Sequence, residues 1–353
     1  MAIVFAILIF SFLIFIHELG HFLAAKASGV QVNEFAMFMG PALFKWQRGE
    51  TLYSIRCIPL GGYCAMEGED ADTDNPRSFQ KAAWWKRLCI LLAGVTMNFI
   101  SGFLIFALVF APNKGFVQPV IAEAETGNTI VYEEGLHIGD RILKVNGSRV
   151  YVSSDVTMLL NLQQGETYDL VVERDGQKVI LDDFAMQPHE FTNEDGTTSM
   201  RYGILFARTE KSFGELISYT WNTCMSVVQS VWLSLEMLLT GQASLNDVAG
   251  PVGIVNMMND TAQASPTTTA VIRNLLSFGA MIAVNLAVMN LLPIPALDGG
   301  RAVALLLTVA IERITRRKLN PKYEGAVHAV GMVILLAFMV LILFKDVFQI
   351  IKG

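Results

Sequence analysis

AIVFAILIFSFLIFIHELGHFLAA, residues 2–25, decides the fold, because an uncharged apolar run here carries a metal-binding pentad inside it. Residues Ala2 to Ile16 hold no formal charge, His17-Glu18-Leu19-Gly20-His21 follows, and Phe22-Leu23-Ala24-Ala25 continues the run. Side chains four apart share a helix face, so His17 and His21 can offer two imidazoles to one ion. Glu18 then stands beside that ion as a proton acceptor for water. About 20 apolar residues cross a bilayer, so the pentad is placed within lipid and not in an aqueous cleft. One Zn2+ per chain is the expected cofactor.

The bulk composition agrees with a membrane protein. Of 353 residues, 53% are hydrophobic and 16% charged, against about 25% charged in soluble domains. Net charge is −6 and no Lys/Arg tract interleaves with aromatics, so nucleic acid is not an expected partner. Cys57, Cys64, Cys89 and Cys224 form no CxxC pair and read as free thiols. The N-terminus has neither a basic stretch nor a small-residue cleavage site, so the first segment is expected to be a retained span.

The pattern predicts a polytopic α-helical membrane protein with four transmembrane helices, over 1–27, 88–111, 275–309 and 325–345. The third is interrupted by Pro293, Pro295 and Gly299-Gly300. Glu215 to Leu239 is different: Glu215, Asn222, Gln229 and Glu236 recur every seven positions on one face. That amphipathic pattern suits a helix lying along the lipid surface, with a connector to residue 274. Orientation follows the basic loops. Lys26–Arg87 holds eight Lys/Arg against seven Asp/Glu, and 310–325 holds five against two, including Arg316-Arg317-Lys318. Residues 112–274 hold ten against twenty. Loops 28–87 and 310–324 are therefore expected in the cytosol, with both termini and the long acidic stretch outside.

Both polar regions have strand character. In 28–87, Phe35–Trp46 and Leu52–Leu60 are apolar and aromatic-rich around Arg48-Gly49-Glu50, which predicts a membrane-associated β-hairpin. Pro59-Leu60-Gly61-Gly62-Tyr63 follows, and a sheet edge there can accept a substrate strand. In 116–208, strands are expected at Val117–Ile121 and Tyr168–Arg174, a helix at Ser154–Leu162 and a turn at Asn146-Gly147. The string Gly135-Leu136-x-x-Gly139-Asp140-x-Ile142-x-x-Val145-Asn146-Gly147 resembles a PDZ domain, an extracytosolic α+β peptide-binding module. Tyr202-Gly203-Ile204-Leu205 is its candidate carboxylate-binding turn.

Two histidines leave a catalytic zinc site one ligand short. The metzincin continuation needs Gly at position 24 and His at position 27, and both are Ala. Outside the amphipathic segment, Glu18 and Asp298 are the two carboxylates within the apolar spans. A bilayer-embedded charge is costly and normally paired. An ion of charge +2 held by Asp298, with Glu18 beside it, balances both acids. His17 lies ~22 Å along a helix that crosses a ~30 Å core, near the cytosolic side, where Asp298 also arrives. The bland alternative pairs Asp298 with Arg301.

Beyond these arguments the chain resembles the site-2 proteases, intramembrane zinc metalloproteases, in their bacterial sigma-regulating branch. The resemblance rests on His17-Glu18-x-x-His21, Gly61-Gly62-Tyr63, one PDZ-like insert, Gly94-Val95-Thr96-Met97-Asn98 and Asn290-Leu-Leu-Pro293-Ile-Pro295-Ala-Leu297-Asp298-Gly299. It implies His17, His21 and Asp298 as zinc ligands and Glu18 as general base. It also implies a substrate-binding or oxyanion role for Asn285 and Asn290, with Asn98, Gly61, Gly62 and Tyr63 in the same set. Expected partners are pre-trimmed single-pass membrane proteins, an upstream site-1-type protease and membrane lipid, at a bacterial plasma membrane. The rivals are an ion-coupled transporter, which gives the pentad no purpose, and a catalytically inactive PDZ-bearing scaffold, although the catalytic set is complete. A membrane di-iron oxidase would need more histidines than the five present.

Overall fold

The structure is a computed structural model that describes residues 2–69, 73–122, 135–163, 165–192, 197–244, 250–316 and 321–352. Arg317 and Lys318 of the basic 310–324 loop lie outside the described residues. Helix α1 (Ala2–Ser28) is apolar apart from Ser11 and the His17-Glu18-x-x-His21 pentad until Lys26 in its last turn. It stops at Gly29, whose φ of 82° no β-carbon obstructs. Gly29 N–H donates to Lys26 O and Val30 N–H to Ala25 O, a Schellman closure with Val30 and Ala25 both buried.

Strands β1 (Val32–Arg48) and β2 (Thr51–Met66) follow, longer than the apolar runs alone indicated. Their register does more than close a hairpin. Residues 34–37 pair with 52–55 on one side and with 62–65 on the other, while 44–48 pair with 51–55. The fold-back is made by left-handed backbone at Phe38, Gly40 and Gly61. Among the described residues, 62–65 is left as an outer edge, and Gly61-Gly62-Tyr63 belongs to it.

Helix α2 (Trp84–Phe110) buries Leu91, Gly94, Val95, Asn98, Gly102, Phe106 and Val109, a seam at three- and four-residue spacing. The polar stretch that follows forms its own compact unit, Phe110–Gln229. It contains β3 (Gly115–Ile121), β4 (Arg141–Val145), β5 (Ser148–Arg149), α3 (Ser153–Gln163), β6 (Thr167–Arg174) and β7 (Gln177–Ala185). Strands β8 (His189–Thr192), β9 (Thr198–Arg201) and β10 (Phe206–Glu210) complete it. The sheet order is β10-β3-β4-β6-β7, with β5 on β4 and a separate β8-β9 pair. Asn146 and Gly147 supply the two positive φ values that the β4–β5 turn needs. Buried Asp140 accepts from the Arg174 guanidinium and from His137 N–H, which holds its carboxyl below the usual range against its burial.

Helix α4 (Phe213–Leu239) begins in this unit. Next come α5 (Pro251–Ala264), α6 (Thr268–Leu291), α7 (Asp298–Thr315) and α8 (Pro321–Lys352). The expected single span 275–309 is corrected here: it is two helices with a break. Leu292 is driven extended by Pro293, Ala296 takes φ 79°, and Asp298 opens α7. Helix α5 was not foreseen within the connector. Its first turn is met by the carboxylate of Asp346 from α8, which accepts from Gly253 N–H at 3.1 Å. Among the described residues, four helices are long and apolar enough to cross a membrane: Val4–Ser28, Trp84–Phe110, Thr268–Leu291 and Ala329–Asp346. Leu8, Phe12, Leu104, Leu108, Val333 and Leu341 on them are exposed, a surface that suits lipid and not water. α4 is not among the four.

The β1–β2 turn is tied to the end of α1. Glu50 accepts from Lys26 at 2.6 Å and from Arg77 at 2.5 and 2.9 Å. The Arg77 contact, then Lys26, pulls its carboxyl from 4.5 to about 2. Because the folded-state value is the lower one, the stabilisation is complete above pH 4.5 and is lost as pH falls through about 2. Glu50→Gln is expected to speed amide exchange in residues 48–52 at pH 7, with the difference from wild type closing as pH drops through that window. An unchanged exchange rate at pH 7 would show that the turn is held by other means.

Candidate metal centre

Two elements bring three ligand atoms together. α1 supplies His17 and His21 one turn apart, with ring centroids 4.8 Å apart and ring planes at 85°. The break after α6 supplies Asp298. His17 Nε2 lies 3.1 Å and His21 Nε2 3.3 Å from Asp298 Oδ2, and the two imidazole nitrogens are 3.3 Å apart. Ligand atoms ~2.0–2.1 Å from a tetrahedral ion stand about 3.3 Å from one another. The triangle therefore has the dimensions of a zinc site.

The donor chemistry agrees with the distances. Asp298 Oδ2 is buried without a hydrogen-bond partner, although both nitrogens are near. The three atoms converge to within 3.1–3.3 Å of one another. His21 Nδ1–H donates to Ile90 O at 2.8 Å, which fixes the tautomer whose Nε2 lone pair is free for an ion. The rival pairing of Asp298 with Arg301 is not formed, because Arg301 donates to Glu69.

Glycines make the approach of the helices possible. A β-carbon on Gly94 of α2 would stand 2.5 Å from His21 Nε2 and 2.7 Å from His17 Cε1. One on Gly20 would stand 2.5 Å from Ala93 O. Gly299 and Gly300 lie against Leu291 O and Ile294 O, each 2.1 Å from a would-be β-carbon, so α7 can start where its first residue reaches the histidines. Pro295 is covered in turn by Gly331 of α8.

The other sequence-predicted residues divide. Glu18 meets the 62–65 edge: Cys64 N–H donates to its carboxylate, and a β-carbon on Gly62 would lie 3.4 Å from Glu18 Cγ. Tyr63 points elsewhere, its hydroxyl bonded to Arg56, which also donates to Glu34 at 2.8 Å and to Gly40 O. Asn98 lies behind His17, with Nδ2 3.3 Å from Nδ1. Asn285 is exposed and Asn290 half-buried, with no contact to the triad recorded for either. Tyr202–Leu205 lies in the other unit, with the Tyr202 ring buried and its hydroxyl 3.3 Å from that of Tyr168. Sequence reasoning missed Gly94 as a clearance position, although glycine four residues before Asn98 on a bulky apolar helix was a usable signal. It had no access to the Ile90 carbonyl or the Cys64 amide, since main-chain groups leave no mark in composition.

The sequence pattern of peptidase family M50 matches residues 5–338. The chain belongs to that family, the site-2 proteases. A "putative zinc metalloprotease" of Clostridium perfringens is 38% identical over 349 residues, covering 98% of each chain. One from Fusobacterium nucleatum is 30% identical over 351 residues, again covering 98% of each. The regulator of sigma-W protease RasP of Bacillus subtilis is 27% identical over 428 residues, covering 97% of each. This M50 chain is a zinc metalloprotease, and His17, His21 and Asp298 are positioned to form its metal site.

Gly94→Ala is expected to weaken zinc binding about tenfold or more, since overpacking a fixed site costs about 1–3 kcal/mol. Gly325→Ala, whose β-carbon meets nothing within 4 Å, serves as the control. Wild-type zinc affinity in Gly94→Ala, measured by chelator competition, would remove the clearance argument.

Proposed function

We propose that this site-2 protease hydrolyses a peptide bond within, or at the cytosolic edge of, the membrane span of a pre-trimmed single-pass protein. The observation that carries the reading is a ligand triad reached from apolar helices, with a β edge running past Glu18. Buried backbone must be hydrogen-bonded. A substrate helix therefore exchanges its internal bonds for those of an added strand along 62–65. The glycine at position 62 lets that edge pack close to Glu18, since a β-carbon there would meet Ala36 O at 3.1 Å and Glu18 Cγ at 3.4 Å.

His17, His21 and Asp298 hold zinc, which when bound supplies Lewis acidity toward a carbonyl and acidifies water. Glu18 takes the proton from the attacking water and returns it to the leaving amine. Asn285 and Asn290 are assigned to the substrate backbone or the oxyanion, and their amides have no recorded protein partner among the described residues. The hairpin and the 310–324 loop face the cytosol, and the termini and the 110–229 unit face outward across a bacterial plasma membrane. That unit acts as a PDZ-like module: Tyr202-Gly203-Ile204-Leu205 leads directly into β10, the open edge of its sheet. There it admits substrates already trimmed by a site-1-type protease, while α4 rests on lipid. The name of the Bacillus subtilis relative favours anti-sigma factors as substrates, with signal-peptide remnants as the other source of short spans.

The test is reconstitution with a trimmed single-span substrate. Glu18→Gln is expected to retain zinc and lose cleavage by a factor of about 10²–10⁴, the usual worth of a general base. Full cleavage by the zinc-loaded variant would exclude Glu18 as the base.

A further inference from the structure

Zinc at Nε2 requires each neutral imidazole to carry its proton on Nδ1, and a buried N–H needs an acceptor. His21 has one in Ile90 O. His17 Nδ1 faces only the side-chain amide of Asn98, on α2, and is met there by Nδ2 at 3.3 Å. Two donors would then oppose each other once zinc is bound. At the same time Asn98 Oδ1 is buried without a partner, in a residue 1% exposed.

A rotation of the amide brings the orphaned oxygen to His17. The amide's two ends are close in shape, and a half-turn about its last torsion exchanges them. Oδ1 then accepts the Nδ1–H of His17, and the oxygen left orphaned becomes the oxygen in use. The placement also bears on the expected role in substrate binding. Asn98 contacts the side of the ring remote from Nε2, so a peptide approaching the ion does not reach it.

We propose that Asn98 is a positioning residue for the metal centre: its side-chain carbonyl accepts the Nδ1–H of His17 and so fixes the tautomer that turns Nε2 toward zinc. The proposal rests on zinc occupying the His17–His21–Asp298 site, and not on which peptide is cut. It gives Gly94 and Asn98, one turn apart on α2, complementary tasks. The glycine clears the two rings, and the asparagine one turn later holds one of them.

The experiment uses the full chain in detergent and measures zinc affinity by chelator competition. Asn98→Leu removes the acceptor at similar volume and is expected to weaken zinc 10–100-fold, the usual effect of losing an outer partner of a ligand. Asn98→Asp keeps an acceptor and is expected to restore affinity to within a few-fold of wild type. Asp298→Ala is run alongside. Zinc lost in Asp298→Ala but bound normally by Asn98→Leu overturns the role of Asn98 alone, whereas zinc retained in Asp298→Ala overturns the site itself. Should Asn98→Leu fail to fold, the 15N shifts of His17 in zinc-loaded wild type decide. A protonated Nδ1 with metal at Nε2 supports the assignment, and an unprotonated Nδ1 contradicts it.

Discussion

One half-buried carboxylate constrains this structure more than any other group. Asp298 sits in an apolar stretch of chain where an unpaired charge is costly, and its free oxygen has no hydrogen bond. Everything around it serves to bring that oxygen to His17 and His21. Pro293 ends α6, the positive φ of Ala296 turns the chain, and Gly299-Gly300 lets α7 begin against the turn. Gly94 and Gly20 let α2 close on α1 behind the rings. Two imidazoles and a carboxylate are held 3.1–3.3 Å apart in an apolar setting. A divalent cation supplies the missing partner.

The β1–β2 hairpin is fastened to the same helices. Ala25, Val30, Phe35, Cys64, Ile90, Leu91, Ala302 and Leu305 form one buried cluster, drawn from α1, β1, β2, α2 and α7. Polar ties reinforce it: Lys26 and Arg77 on Glu50, and Arg301, one turn after Asp298, on Glu69. Individually such half-exposed pairs contribute little. Their value is positional. They hold the 62–65 edge at Glu18, so the segment read as accepting substrate and the group read as moving protons are aligned by the core that holds the metal ligands.

Much of this was legible in the sequence because the membrane simplifies the reading. A charge census in apolar segments singles out Glu18 and Asp298, and the pentad fixes the helix face. Asn146-Gly147 marked a turn that the structure forms with positive φ. Three things were hidden. The segment 275–309 read as one interrupted span, since hydropathy does not register a break of six residues. α5 was missed because Asn256, Asn259, Asp260 and Thr261 dilute its apolar pattern. The double pairing of 34–37 depends on fold-back at Phe38 and Gly61, which strand propensity does not encode. Asn98 carried a motif-level signal, but only the geometry put it behind His17.

The central claim is that α1 and the start of α7 jointly ligate one zinc ion. X-ray absorption at the zinc edge of the purified full-length protein tests it directly. The account predicts two imidazole nitrogens and one or two oxygens at ~2.0–2.1 Å, with the imidazole scattering halved, or the zinc lost, in His17→Ala. A shell containing sulfur at ~2.3 Å, or an unchanged spectrum without His17, would place the metal elsewhere and contradict it.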